Sequence, residues 1–447
     1  MRIEIPQSVL DALRRLEESG AEAYLVGGCV RDALLERPLS DYDITSSALP
    51  EETEAVFRDC RIIETGLKHG TVTVLAEGIP LEITTFRTES GYSDLRHPDS
   101  VSFTRSLAED LKRRDFTVNA MAYAPGSGLR DLFGGREDLE NRLVRCVGCP
   151  DERFGEDALR ILRALRFASV LDFSLEEETA ASVRKNRELL RSVAAERIFV
   201  ELKKLLCGPG AKRILLEYPE VFGVFLPELL PMVGFEQHTK YHVYDVWTHT
   251  AEAVSQMPAE PVDRLSALFH DAGKPASFTQ DPDGTGHFYG HPAVSLQLAE
   301  TMLLRLKADN ETKKAVLLAV EHHDIPLEPT EKCVRRALNR FGEEGLARLL
   351  RLQRADNLAQ APEYRGRQRE IDEMEALAAE LIRQGNCFSL RQLAVGGKDL
   401  IGLGFEPGPG LGETLERLLS SVMDGSLPNE KAALLEAALK ELRKNPE

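Results

Sequence analysis

Residues 24–45 read YLVGGCVRDALLERPLSDYDIT, and no other stretch limits the possible folds as sharply. An apolar run from Tyr24 to Val26 meets Gly27 and Gly28, helical spacing starts near Cys29, and a second extended run carries Asp41 and Asp43. Side chains two apart on a strand share a face, so Asp41 and Asp43 are expected to project together. Two carboxylates that close repel each other unless a cation lies between them, and an all-oxygen donor set suits Mg²⁺. Gly28 would let a phosphate approach backbone N–H groups, and the following helix would add its positive end. Arg31, in the first turn, is placed to take a phosphate bidentately. These parts describe a metal-dependent triphosphate site; the competing reading is a βαβ turn followed by an acidic loop.

Further along, residues 70–78 and 79–87 alternate like the two arms of a hairpin, and Glu82 in the second arm is expected beside the Asp pair as a third acidic group. Residues 88–103 are polar and aperiodic, which predicts a long loop. A helix begins after Ser106, with Glu109 at the capping-box position, and runs into Arg113, Arg114, Asp115 and Asn119. Asp115 and Asn119 carry groups suited to sugar hydroxyls. A turn, short helix and strand over 131–147 end this part, and helical spacing dominates afterwards.

The first of those helices contains RFGEDALRILRALRF, residues 153–167. Asp157 and Arg160, three apart on one helix, would share a face. An exposed ion pair is the ordinary reading, but a carboxylate only accepts hydrogen bonds and a guanidinium only donates them. Cytosine and adenine each present an amine donor beside a ring-nitrogen acceptor; uracil and guanine present the reverse. Asp157 with Arg160 would therefore accept C or A and clash with U or G.

The Gly27 to Asp43 stretch, the RRD run ending at Asp115 and the EDALR run at 156–160 together resemble the class II branch of the polymerase β nucleotidyltransferase superfamily, which holds bacterial CCA-adding enzymes and poly(A) polymerases. The resemblance implies an α+β fold: a nucleotidyltransferase head with a small mixed sheet (1–148), then an all-helical neck (149–235), body (236–360) and tail (361–447). It implies template-independent addition of C, C and A to the 3′ end of tRNA from CTP and ATP, with Mg²⁺ held by Asp41 and Asp43. Within it Arg114 meets the nucleotide, and Arg163 and Arg166 reach the nucleotide or its phosphates. AAERIFVELKKLL (194–206) is similar to the family segment that closes the neck. The alternatives are a poly(A) polymerase, an enzyme adding only CC or only A, a phosphohydrolase whose head merely binds nucleotides, and a non-catalytic RNA-binding module.

The body holds a second constellation. His249, the pair His270-Asp271 followed by Gly273-Lys274, and Asp356 are arranged as H…HD…D and resemble the HD phosphohydrolase superfamily, with His291 and either His322 or His323 as further ligands. Imidazole nitrogens favour Mn, Fe, Co, Ni or Zn over Mg²⁺. Hydrolysis of phosphate esters, including cyclic phosphates at RNA ends, follows from that resemblance.

With 447 residues the chain exceeds one ordinary core. No apolar run approaches the roughly eighteen residues that span a bilayer, and the start lacks a signal-peptide core, so a cytoplasmic enzyme is expected. Seven scattered cysteines, including Cys146 and Cys149, argue for reduced thiols rather than a disulfide framework. A net charge of −17 speaks against a chain coated in nucleic acid, although Arg184 to Arg213 forms a locally basic run.

Overall fold

The computed structural model describes residues 5–39, 41–66, 70–91, 100–384 and 387–444. It divides into two compact units, Met1–Leu230 with Arg305–Lys307, and Pro231–Leu304 with Ala308–Glu447. In the first, chain order is α1 (Gln7–Glu18), β1 (Ala23–Val26), α2 (Gly28–Leu34), β2 (Asp43–Ser46), α3 (Pro50–Val56), β3 (Arg61–Gly66), β4 (Thr71–Ala76) and β5 (Ile79–Thr85). Then come β6 (Arg87–Ser90), β7 (Ser100–Phe103), α4 (Leu107–Lys112), β8 (Met121–Ala124), β9 (Gly128–Asp131), α5 (Gly135–Glu140) and β10 (Leu143–Val144).

Among the described residues seven of these strands form one sheet in the order β3-β4-β5-β2-β1-β8-β9. β2 and β5 run parallel, whereas β1 pairs antiparallel with both β2 and β8. The expected hairpin is β4–β5: Glu77 and Gly78 both take positive φ, 50° and 86°, as a tight two-residue connection between twisted strands requires. α1 buries Val9, Ala12, Leu13 and Leu16, a helical stripe, but Pro6 rather than Ser8 stands at its cap and Ser8 is buried. Tyr24, Val26, Phe86, Leu111, Ala122 and Ala124 share a core between the sheet and α4. Of the expected loop at 88–103, the ends are the paired strands β6 and β7, and residues 92–99 lie outside the described residues.

Helices follow: α6 (Pro150–Glu156), α7 (Leu159–Leu171), then β11 (Ser174–Leu175), α8 (Glu177–Asn186), α9 (Ala195–Leu206), α10 (Ala211–Glu217) and α11 (Pro219–Phe222). α7 buries Leu159, Ile161, Leu162, Ala164, Leu165, Phe167, Ala168 and Leu171, so it is an interior helix packed on several sides.

The second unit is nearly all helical: α12 (Val246–Gln256), α13 (Pro261–Phe269), a short ribbon β12 (Thr279–Gln280) with β13 (Gly286–His287), α14 (His291–Arg305), α15 (Asn310–His322), α16 (Glu331–Leu358), α17 (Gln368–Arg383), α18 (Gly397–Gly402), α19 (Pro409–Met423) and α20 (Lys431–Lys444). α16 breaks at Gly342, with φ 72°. Val334, Leu338 and Leu349 share a core with Ile371, Met374 and Leu381, on either side of residue 360. A separate core joins Leu400, Leu418, Leu419 and Leu434. No helix among the described residues is long and apolar enough to cross a membrane.

Candidate nucleotide site and histidine centre

Gly27 ends β1 with φ 74° and ψ −133°, a conformation side chains oppose, and α2 starts at the next residue. A Cβ placed on Gly27 would stand 3.4 Å from Arg114 Nη1 and 3.7 Å from Asp43 Oδ2, so turn, guanidinium and carboxylate enclose one small space. Asp43 opens β2 directly opposite Glu82 on β5, which puts the two acids side by side. Asp41 lies ahead of the strand rather than in it, a departure from the expected shared strand face. Its charge still reaches the pair: Asp43 is raised above the ordinary carboxylate range by burial first, then by Glu82 and Asp41, against the pull of Arg114. The oxygens of Asp41, Asp43 and Glu82 do not all come within 4.8 Å of one another.

Around this space runs an alternating chain of charges. Arg31 donates to Asp32 Oδ1 (2.9 Å) and to Asn119 Oδ1 (2.7 Å). Asn119 Nδ2 donates to Asp115 Oδ1 (3.2 Å), and Arg163 Nε donates to Asp115 Oδ2 (3.0 Å). Burial would raise Asp115, but Arg163 outweighs it and holds the carboxyl down to about 2. Arg166 Nε stands 2.7 Å from Glu201 Oε2, and burial draws Arg166 down to about 10. The Phe167 ring lies under three guanidinium groups, those of Arg31, Arg163 and Arg166, at 5.2, 5.4 and 3.7 Å from its centroid. Asp115 and Asn119, read as sugar-binding groups, are thus engaged with arginines.

Asp157 and Arg160 do not share the helix face that their spacing predicts. α6 ends at Glu156, Asp157 takes an extended backbone (φ −133°, ψ 103°), and α7 begins at Leu159. Asp157 Oδ1 accepts from Leu159 N (3.1 Å), and its Oδ2 accepts from Arg197 Nη2 on α9 (3.1 Å). Arg160 Nη1 pairs instead with Glu156 Oε2 at 2.5 Å, and its Nη2 donates to the Arg113 carbonyl at 3.2 Å. Asp157, held by the Arg197 cation, and Arg160, held by the Glu156 carboxylate, are still an acceptor and a donor, but the spacing rule for a helix face does not place them. Arg197 was missed in the sequence; it sat unremarked within a basic run. Much of that run is tied to acids nearby, as with Lys185 and Asp151, Arg191 and Glu188, and Arg213 and Asp172.

In the second unit His249, His270, Asp271 and Asp356 bring ligand atoms within 4.8 Å of one another, and Asp271 does the same with His291 and His323. His249 Nε2 is 2.8 Å from Asp356 Oδ1, His270 Nε2 is 3.2 Å from Asp271 Oδ2, and His291 Nε2 is 3.4 Å from Asp271 Oδ1. The opposite nitrogen of each ring faces a backbone carbonyl: Nδ1 of His249 to Ala359 (3.4 Å), His270 to Ala267 (2.7 Å), His291 to Phe288 (2.9 Å) and His323 to Val320 (2.8 Å). A carbonyl can only accept, so each Nδ1 donates to it and each ring turns its Nε2 towards the carboxylates, the orientation of metal-binding imidazoles. Burial works against a charged His270, yet Asp271 and Asp356 hold it up at about 10; against burial, His270 and Lys274 keep Asp271, and His249 and His270 keep Asp356, well below the ordinary carboxylate range. Of the two extra candidates the fold selects His323; His322 lies against Phe341, with ring centroids 5.1 Å apart. Lys274 is visible in the sequence only as part of its motif, and His242 not at all. Lys274 Nζ is 2.7 Å from Asp271 Oδ2, and the His242 ring packs on His249 at 4.8 Å with Nδ1 buried and unpartnered.

The sheet with its glycine turn defines a nucleotidyltransferase head, and residues 23–145 match the family described as Poly A polymerase head domain. Residues 172–232 match the RNA and SrmB-binding site of polymerase A, and 293–438 match tRNA nucleotidyltransferase domain 2. The CCA-adding enzyme of Pediococcus pentosaceus is 35% identical over 98% of this chain and 99% of its own length. That of Streptococcus thermophilus is 37% identical over 96% and 95%. The crystal structure of the Bacillus stearothermophilus CCA-adding enzyme in complex with CTP superposes with a TM-score of 0.75 at 31% identity, covering 98% of each chain. The chain belongs to the CCA-adding enzymes, which are tRNA nucleotidyltransferases.

Proposed function

We propose that this enzyme adds C, C and A to the 3′ end of tRNA from CTP and ATP through the space enclosed by Gly27, Asp43, Glu82 and Arg114. The observation that carries the assignment is the juxtaposition of Asp43 with Glu82 across β2–β5, with Arg114 beside Asp43 at the Gly27 turn. In the reaction the terminal tRNA hydroxyl oxygen bonds to the α-phosphorus, the bond to the β-phosphate breaks, and pyrophosphate leaves. The donor set is all carboxylate, and Asp43 is destabilised as an anion by its acidic neighbours, which fits Mg²⁺ held by Asp41, Asp43 and Glu82. When bound, such ions neutralise the triphosphate and lower the pKa of the attacking hydroxyl. Gly28 leaves room for a phosphate at its amide, Arg31 and Arg114 hold the triphosphate and nucleotide, and Asp115 fixes Arg163 beside them. Arg166 completes that cationic wall over Phe167. Asp157, steadied by Arg197, and Arg160 read the base edge.

The test is incubation with tRNA lacking its 3′ end and each labelled triphosphate, read for product length. Stepwise C, C, A is expected; a long A tract would mark a poly(A) polymerase, and a stop after CC or a single A a partial enzyme. Asp41→Ala with Asp43→Ala should abolish incorporation and leave tRNA binding intact, and retained incorporation would remove the assignment. Asp157→Ala should admit UTP and GTP, and an unchanged preference would refute base reading.

The inward-turned Nε2 atoms favour a second activity. His249, His270, Asp271 and Asp356, with His291 and His323, would hold a transition metal such as Mn, Fe, Co, Ni or Zn, which supplies Lewis-acid assistance to phosphate-ester hydrolysis. Lys274 adds a positive charge suited to an anionic substrate. Metal content of the purified chain and hydrolysis of a nucleoside 2′,3′-cyclic phosphate check this. Both should be lost in His270→Ala while CCA addition persists; a wild-type chain that takes up no metal sinks it.

A further inference from the structure

Asp110 sits wholly buried on α4, and groups from four residues, on β2, on β6 and at the end of α4, converge on its two oxygens. Oδ1 accepts from the backbone N–H of Arg87 at the start of β6 (3.3 Å) and from Arg113 through Nε (3.0 Å) and Nη2 (2.8 Å). Oδ2 accepts from the Thr45 hydroxyl on β2 (3.1 Å) and faces Arg114 Nη2 at 3.5 Å. Thr45 lies two residues beyond Asp43 on the same strand, so both side chains emerge on one face. Asp110 therefore grips the strand that carries the metal-site acid and the arginine that stands against it.

Arg114 is itself shaped by that grip. One edge, Nη2, rests on Asp110, and the other terminal nitrogen, Nη1, stands beside Gly27 and Asp43. Its Nε is buried with no hydrogen-bond partner among the described residues, so the side chain is held through its two terminal nitrogens. A long cationic side chain has many rotamers, and one already fixed before the triphosphate arrives loses less freedom on binding.

We propose that Asp110 is a positioning residue for nucleotide addition, holding Arg114 in register with Asp43 through Thr45 and β2. The inference rests on the assignment of Arg114 to the nucleotide. A residue that merely fills a buried ion pair would affect stability and leave the handling of triphosphate independent of Arg114; one that aims Arg114 acts only through it.

Steady-state incorporation of CTP and ATP on tRNA separates these roles in five full-length variants: Asp110→Asn, Thr45→Val, Arg114→Lys and the combination of each of the first two with the third. Asp110→Asn should raise the triphosphate KM about tenfold and Thr45→Val a few-fold. Added to Arg114→Lys, either should change KM by less than about twofold, because the lever it works through is already gone. Equal effects in both backgrounds would overturn the positioning role and leave Arg114 as a nucleotide residue. An Arg114→Lys enzyme with unaltered triphosphate KM would instead remove the assignment of Arg114, and the inference with it. Should Asp110→Asn fail to fold, Thr45→Val decides, since it deletes one hydroxyl, whose other contact is the Thr84 carbonyl on β5 at 3.2 Å; no effect on KM there refutes the link between β2 and Arg114.

Discussion

Gly27→Ala is the sharpest perturbation of the nucleotide site, because backbone and space both argue against a side chain. With φ at 74° and ψ at −133° the residue occupies a region nearly closed to L side chains, and holding alanine there costs about 1–3 kcal/mol. The new methyl would also enter ordinary contact range of Arg114 Nη1 and Asp43 Oδ2, 3.4 and 3.7 Å away. If the turn keeps its shape, the head loses about 2 kcal/mol of stability. If it relaxes, the competent geometry is populated about 30-fold less and the apparent triphosphate affinity falls by the same factor. Gly28→Ala is the matched control: it lies at the start of α2 without a positive φ, and its Cβ would meet only Arg31 Nη2, at 3.6 Å. That variant should keep its urea midpoint and reveal any crowding of the phosphate as a higher KM alone. A Gly27→Ala enzyme with a wild-type midpoint and incorporation within twofold of wild type would refute the reasoning, since neither route for the strain would have been taken.

Asp115 sits at about 2 when folded against an ordinary 3.8, so its contribution is present above pH 3.8 and disappears as pH falls towards 2. Asp115→Asn should remove on the order of 2 kcal/mol and flatten the acid limb of stability against pH, measured by urea unfolding between pH 2 and 6. In the second unit the carboxylate of Asp263 is buried and accepts from Arg348 Nε (3.0 Å) and Arg351 Nε (2.7 Å). Asp263→Ala removes the carboxylate that both arginines share, leaving Arg348 its Glu344 partner (2.6 Å), and should cost about 3 kcal/mol, seen as a lowered thermal midpoint. Arg197→Ala, which frees Asp157 Oδ2, should raise misincorporation of UTP and GTP in the same direction as Asp157→Ala; unaltered fidelity would show that Asp157 needs no brace.

What could be read from the chain was whatever obeys a local period. Alternation over 70–87 announced the hairpin that sets Glu82 opposite Thr73, and the parallel pairing of β5 with β2 then brings Glu82 level with Asp43, as expected. The H…HD…D pattern picked out four residues, His249, His270, Asp271 and Asp356, whose ligand-type atoms do meet. Where long-range packing decides, the period misled. Residues 153–167 contain no proline, and nothing in their spacing announces the extended backbone at Asp157, which is stabilised by Arg197, forty positions away in the chain. Asp110 was invisible for a related reason: within a run of charges, only the fold reveals which acid is buried. Neighbouring His322 and His323 could not be told apart until α15 ended between them.

The one parallel pairing in the head sheet has a consequence for how this enzyme tolerates change. Glu82 reaches Asp43 by hydrogen-bonded registration of β5 on β2, after the chain has travelled through α3, β3 and β4. Length added in the connection between α3 and β3 is therefore absorbed outside the sheet. A single residue inserted between Ile79 and Glu82 turns that carboxylate to the far side, splitting the acidic pair while leaving every chemical group in the protein intact.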